Sequence, residues 1–490
     1  MNAITPPVEK QWPIYKRSLT QKRLRGKFHV SNLETFGSPV RIFASMNAYS
    51  PRFAVSADQV IPTLRDYILV DGFDHVIDLD NSHGAWLVEA RSQKAYLDFF
   101  TCIASMPIGM NHPKMTDPAF VEYLGKAALN KPSNSDIYTS HMATFVKTFF
   151  EIALPKHFRY AFFIDGGTLA VENAIKTAMD WKVRRNFSKG YTTDRGHQII
   201  HFQRAFHGRS GYCMSLTNTD PTKVAHWPQW KWPRIAPPML SFPVTEAVLE
   251  DVRRREDDAV AAIKQAFVDN KDDVAAIIVE PIQGEGGDNH FRPEFLRRLR
   301  ELCDENEALL IFDEVQTGVG ISGHWWAHMG LGVEPDIMSF GKKMQVCGIV
   351  VGPRIDDVPD NVFHTSSRIN STWGGSLVDM VRATKYLEII DEEGLVANAG
   401  SVGQYLRDQL TKLRDNVGHD VMSNIRGMGL FCAFDLPSKD QRNDFLKRAY
   451  DNGLLLVGSG EHSIRFRPPL NLTKDLVDKG VEIIAHSLRL

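Results

Sequence analysis

The chain has 490 residues, of which 43% are hydrophobic and 24% charged, a balance that suits a large buried core spread over two or three structural units. Its formal net charge of -2 excludes a general nucleic-acid binder, which needs a strongly basic face. No apolar run reaches the roughly 18 residues of a membrane span. The five cysteines (Cys102, Cys213, Cys303, Cys347, Cys432) have no paired spacing for a metal site or disulfide framework, so no metal and a reducing, cytoplasmic location are expected.

Residues 1–60 read as an N-terminal arm without the apolar core of a secretory signal. Within it, Tyr15 to Lys27 (YKRSLTQKRLRGK) carries six basic residues and no acidic one. Residues 61–105 read as the N-terminal part of a small domain. From 106 to 372 short apolar runs alternate with amphipathic stretches, the pattern of an α/β sheet with crossover helices. RYAFFIDGG predicts a strand meeting glycines, and TLAVENAIKTAMDWKV a helix with Val171, Ala174, Ile175 and Ala178 on one face. HQIIHFQ, VAAIIVEPIQGEGG, EALLIFDEVQTGVG and PDIMSFGKK predict further strands, with the helix RPEFLRRLRELCDE before the third of these. Residues 373–490 change texture. The helices LVDMVRATKYLEIIDEEG and SVGQYLRDQLTKLRD precede short strands in GLFCAFDL, GLLLVG and IRFRPPL, a smaller α+β domain.

Ligands of an open parallel sheet gather beyond the carboxyl ends of its strands. Three chemical groups fall at such ends here. Gly166, Gly167 and Thr168 open a helix whose N–H groups attract an anion. Asp313 closes the apolar run ALLIF, where a carboxylate needs a partner. Lys342 ends the next strand, one βαβ unit later. Taken singly, each has an ordinary structural explanation: a glycine turn, a helix cap, an ion pair. Together, an amine for an imine, an acid for a pyridine nitrogen and an anion site for a phosphate point to pyridoxal 5'-phosphate.

Six segments, in order, carry a resemblance: DGGTLAVENAIKTA, RAFHGRSGY, VEPIQGEGG, FDEVQTGVGISG, SFGKK and IRFRPPL. They resemble the phosphate-loop helix, the aromatic-His-Gly segment, two signature stretches, the Gly-Lys pair and the C-terminal arginine motif of the class III aminotransferases. The resemblance runs from about Leu69 to the C-terminus and implies the PLP-dependent transferase fold type I, with a large, mostly parallel-sheet domain and a smaller α+β domain. It also implies roles. Lys342 is to form the imine with the cofactor, Asp313 to pair with its pyridine nitrogen, and Val315 and Phe206 to pack on its two faces. Gln316 is to bond its phenolic oxygen, and Gly167 and Thr168 to hold its phosphate. Thr372 is to reach the phosphate of the neighbouring subunit, making the active unit a homodimer. Arg209 is to grip the far carboxylate of either substrate, and Arg465 the α-carboxylate of the keto acid. Glu285 is to act as a gate that pairs with Arg465 and swings away. Asn370 and Ser371 are candidates for substrate contact. Lys343 and His207 read as structural, and Arg467 has no assigned role.

NKPSNSDIYT, FHGRSGYCMSLTNT, EPIQGEGGDNHFRPEF, FGKKMQVCG and NSTWGG further resemble the lysine-specific branch of the family. They imply L-lysine as amino donor and 2-oxoglutarate as acceptor, with ornithine, GABA or a β-amino acid as the alternative donor. A dinucleotide-binding oxidoreductase is disfavoured, because no G-x-G-x-x-G follows a strand.

Overall fold

The central strands Val274–Val279, Leu309–Asp313 and Ile337–Phe340 are buried at every position, as uninterrupted apolar runs must be when helices cover both faces of a sheet. The computed structural model describes residues 49–488. The basic stretch Tyr15 to Lys27 and most of the expected arm 1–60 lie outside them. The described residues from Ala57 onward belong to one compact unit.

Its main sheet has seven strands, in the order Tyr160–Ile164, Cys347–Val351, Ile337–Phe340, Leu309–Asp313, Val274–Val279, Gln198–Phe202 and Arg234–Ile235. All run the same way except Cys347–Val351, which is antiparallel to both of its neighbours. Nothing in the sequence pattern announces that reversed strand. Alternate residues of one strand feed two separate cores. Leu310 and Phe312 pack with Ile263, Phe295 and Leu299, from the helices Glu246–Asp269 and Pro293–Glu305. Leu309 and Ile311 pack with Val171, Ala174, Ile175 and Ala178, the apolar face expected of the helix Gly167–Ser188.

Two four-stranded sheets and a two-stranded one, Ile282–Gln283 with Asn289–His290, accompany it. One four-stranded sheet is Ser423–Met428, Phe431–Asp435, Ser463–Phe466 and Val457–Ser459, all antiparallel. The other joins a meander of Ile77–His83, Trp86–Glu89 and Ala95–Asp98 to Leu454–Leu455, which pairs parallel with Ala95–Asp98. No helix among the described residues is long and apolar enough to cross a membrane.

Candidate active site

The parallel register sets Asp313 opposite Ser339, so the carboxyl ends of two adjacent strands deliver Asp313 and Lys342 to one edge of the sheet. Both line a cavity of about 320 Å³, together with Gly167, Thr168, Phe206, His207, Arg209, Glu280, Val315 and Gln316.

Asp313 is buried and held at both oxygens. Its Oδ1 accepts from the Val315 N–H at 3.1 Å and the Ser339 hydroxyl at 3.2 Å, and its Oδ2 lies 2.7 Å from His207 Nδ1. His207 Nε2 is buried with no partner of its own. The ring is therefore committed to the carboxylate, as an outer-shell histidine fixes the group it touches. The sequence indicated a structural role for His207, and the structure sets it against Asp313 in the cavity lining. Its position next to Phe206 in RAFHGRSGY was the available signal. Lys342 lies in a turn after its strand with φ of 48°. Burial lowers its pKa, with Asp313 pulling the other way and Arg465 adding to the fall. It has no ion-pair partner among the described residues.

Gly166 precedes the helix Gly167–Ser188 with φ of 103° and gives it no side-chain cap, which leaves the first amides open to an anion. Thr168 Oγ1 lies 2.8 Å from Ser210 Oγ, which in turn donates to Glu172 Oε1 at 2.8 Å. Glu280 is buried and accepts from the Phe206 N–H at 3.0 Å and the Gly284 N–H at 2.9 Å, fixing the backbone under the Phe206 ring. Burial raises its pKa to about 7, with His207 opposing and Asp313 adding.

Arg465 and Arg467 are both buried. Asp288 holds the Arg467 guanidinium in a two-pronged pair at 2.7 and 2.9 Å, and Arg467 Nε donates to Gln316 Oε1 at 2.9 Å. Arg467, unassigned from sequence, thus orients Gln316. Because the Gln316 oxygen is occupied, the group it can offer an anionic cofactor oxygen is its amide N–H. Arg465 reaches Gln316 Oε1 only at 3.5 Å, and its Nε is buried without a partner. Burial and Arg467 lower its pKa to about 10.

Glu285 is not paired with Arg465 as the gate expectation has it. Its carboxylate pairs instead with Lys223. Asn370, Ser371 and Thr372 do not line the cavity of their own chain. Lys343, by contrast, is 2% exposed.

The set fits a pyridoxal phosphate: an amine, an acid buttressed by an otherwise unpartnered imidazole, an uncapped helix start and an aromatic wall share one cavity. The aminotransferase class-III family profile matches residues 70–488. The L-lysine-epsilon aminotransferase of Streptomyces clavuligerus is 47% identical over 436 residues, covering 88% of this chain and 94% of that protein. The protein of that name from Amycolatopsis lactamdurans is 47% identical over 434 residues, 88% of this chain and 96% of its own length. Among solved structures, the lysine aminotransferase from Mycobacterium tuberculosis in the internal aldimine form is 46% identical, with a TM-score of 0.86 over 88% of this chain and 99% of that one.

Proposed function

The chain belongs to the class III aminotransferases, and we propose that it moves the ε-amino group of L-lysine to 2-oxoglutarate. The products are L-glutamate and 2-aminoadipate 6-semialdehyde, which cyclises to a piperideine-6-carboxylate. Its cofactor is pyridoxal 5'-phosphate, which supplies an electron sink for bond breaking at the amine-bearing carbon. The observation that carries the reaction is the single cavity holding Lys342, Asp313 and Arg209. Lysine as donor is supported by the 47% identity to proteins named for it.

The roles proposed for the residues are these. Lys342 anchors the cofactor and, once released, its Nζ takes the proton from carbon 6 of lysine; the lowered pKa keeps more of the amine unprotonated. Asp313, fixed by His207 and Ser339, holds the proton on the pyridine nitrogen. Gly167 and Thr168 take the phosphate, and Phe206 and Val315 bracket the ring. Gln316 donates to the phenolic oxygen. Arg209 grips the carboxylate far from the reacting centre, and Arg465 takes the second carboxylate of 2-oxoglutarate bidentately.

A homodimer is part of the proposal, with Thr372 serving the partner's phosphate and Asn370 and Ser371 its substrate. Supporting it, the loop of Thr372 is tied to residues 133–135 through Ser133 and Ser135 hydroxyls. This pair of loops leaves Leu129, Ile137, Tyr138 and Trp373 exposed, an apolar patch that suits a second copy. The five cysteines are all unpaired, in keeping with a cytoplasmic location.

A spectral titration of the purified holoenzyme tests the donor. Lysine is expected to bleach the bound-cofactor absorbance at concentrations where ornithine, GABA and β-alanine do not. Equal bleaching by ornithine would sink lysine as the specific donor.

A further inference from the structure

Lys223 closes a short turn, Pro221–Lys223, that is pinned by Asp220, whose Oδ1 accepts from both the backbone and the hydroxyl of Thr222. Its ammonium is 5.6 Å from the centre of the ring of Phe206, a residue that lines the cavity. Burial lowers its pKa, and Arg209 and then Arg465 lower it further, with Asp220 opposing. Arg209, which lines the cavity, and Arg465 are thus both near enough to act on Lys223, and the carboxylate paired with Lys223 is Glu285. The backbone carbonyl of Glu285 accepts from the Gly460 N–H at 2.8 Å, which ties its backbone to that turn. Arg465 meanwhile keeps a buried, unpartnered Nε and no carboxylate within ion-pair distance among the described residues.

We propose that Lys223 is the resting partner of Glu285 and sets the position of the carboxylate gate. By holding Glu285 off Arg465, it keeps that arginine open to the second carboxylate of a dicarboxylate acceptor, at the expense of the amino donor, which needs Arg465 masked. The inference rests on the lysine and 2-oxoglutarate reading above. A residue that shifts a two-position equilibrium must move the two ligands in opposite directions, since each binds one position better.

Lys223→Met removes the charge and keeps the length. The probes are glutarate, an unreactive dicarboxylate, binding to the holoenzyme by calorimetry, and the lysine concentration that half-saturates single-turnover bleaching. Glutarate is expected to bind about tenfold more weakly, within the usual range of coupling between sites, while half-saturation by lysine shifts lower. Lys223→Arg is expected to restore both. In the Lys223→Met, Glu285→Gln double variant, glutarate affinity is expected to recover, because no carboxylate then competes for Arg465. Weakening of both ligands together, no change in either, or no recovery in the double variant would each overturn the proposal. If the unaltered enzyme ignores lysine, the reaction assigned above is what fails, and the glutarate arm still reports on Lys223.

Discussion

Lys343 Nζ donates to the Gln316 carbonyl at 2.8 Å and to the Ala104 carbonyl at 3.4 Å. Burial, then Lys342 and Arg467, hold its pKa well below the ordinary 10.5. An unfolded chain therefore binds more protons at this lysine than the folded one, in the window between the lowered value and 10.5. Stability should rise with pH across that window. Denaturant unfolding at several pH values should show this slope in the unaltered protein and a flatter one in Lys343→Met. Lys343→Ala should remain coloured and active yet lose about 2 kcal/mol, from the vacated volume and the two unmet carbonyls. Which lysine lines the cavity was legible, because Lys342 directly follows the strand and the glycine. That Lys343 is a core residue was not, since strand periodicity says nothing of the turn beyond the strand. The same holds for Lys223, whose partner Glu285 is fixed by tertiary contact alone.

At the level of elements, the end of the site proposed to hold the phosphate depends on two turns meeting without side chains between them. Gly208 has φ of 113°, and a Cβ there would lie 2.1 Å from Thr168 Oγ1. Gly208→Ala must therefore strain its own backbone and push Thr168 off the helix start. Fluorescence titration of the apo-protein should show cofactor affinity weaker by at least about tenfold, as is usual when a supporting contact of a bound group is lost. Unchanged affinity would remove Thr168 from the phosphate site. The parallel strands were legible because both faces are buried and their apolar runs are continuous. The reversed strand Cys347–Val351 was not. The chain turns back through Lys342, with φ of 48°, and Gln345, with φ of 64°, and neither residue type signals a turn. The meander Ile77–His83 was equally hidden, because its exposed positions include Asp80 and Asn81, which are depleted in strands. A further stretch, Thr101 to Ala104, holds φ between 42° and 62° at four successive non-glycine residues. Such strain persists where neighbours over-determine it, and Lys343, Gln345 and Arg467 all bond this stretch or the serine after it.

For the whole molecule, the proposed shared site makes a prediction that no single chain can satisfy. Lys342→Ala and Thr372→Ala are each expected to be inactive or nearly so as pure proteins. After co-refolding, mixed dimers should regain activity, because one of their two cavities receives an intact Lys342 from one chain and an intact Thr372 from the other. No recovery, with mixed dimers demonstrated by mass, would place Thr372 outside the partner's site. Within one chain, distant segments are already interlocked. The Arg467 that steadies Gln316 receives its carboxylate partner from Asp288 and its carbonyl accepts from the Thr101 hydroxyl at 2.5 Å.

The pairing of Ala95–Asp98 with Leu454–Leu455 has a consequence for how the protein is made. Leu97 and Phe99 N–H groups donate to the carbonyls of Gly453 and Leu455 at 2.8 and 3.1 Å. A nascent chain leaving the ribosome carries the meander early and its closing strand almost last. Until translation passes residue 455, that sheet presents an unpaired edge of the kind that recruits other strands. The main sheet, by contrast, is complete once residue 351 has emerged. The enzyme's vulnerable interval is therefore late synthesis, when every strand of the main sheet has been made and one early edge still waits for its partner.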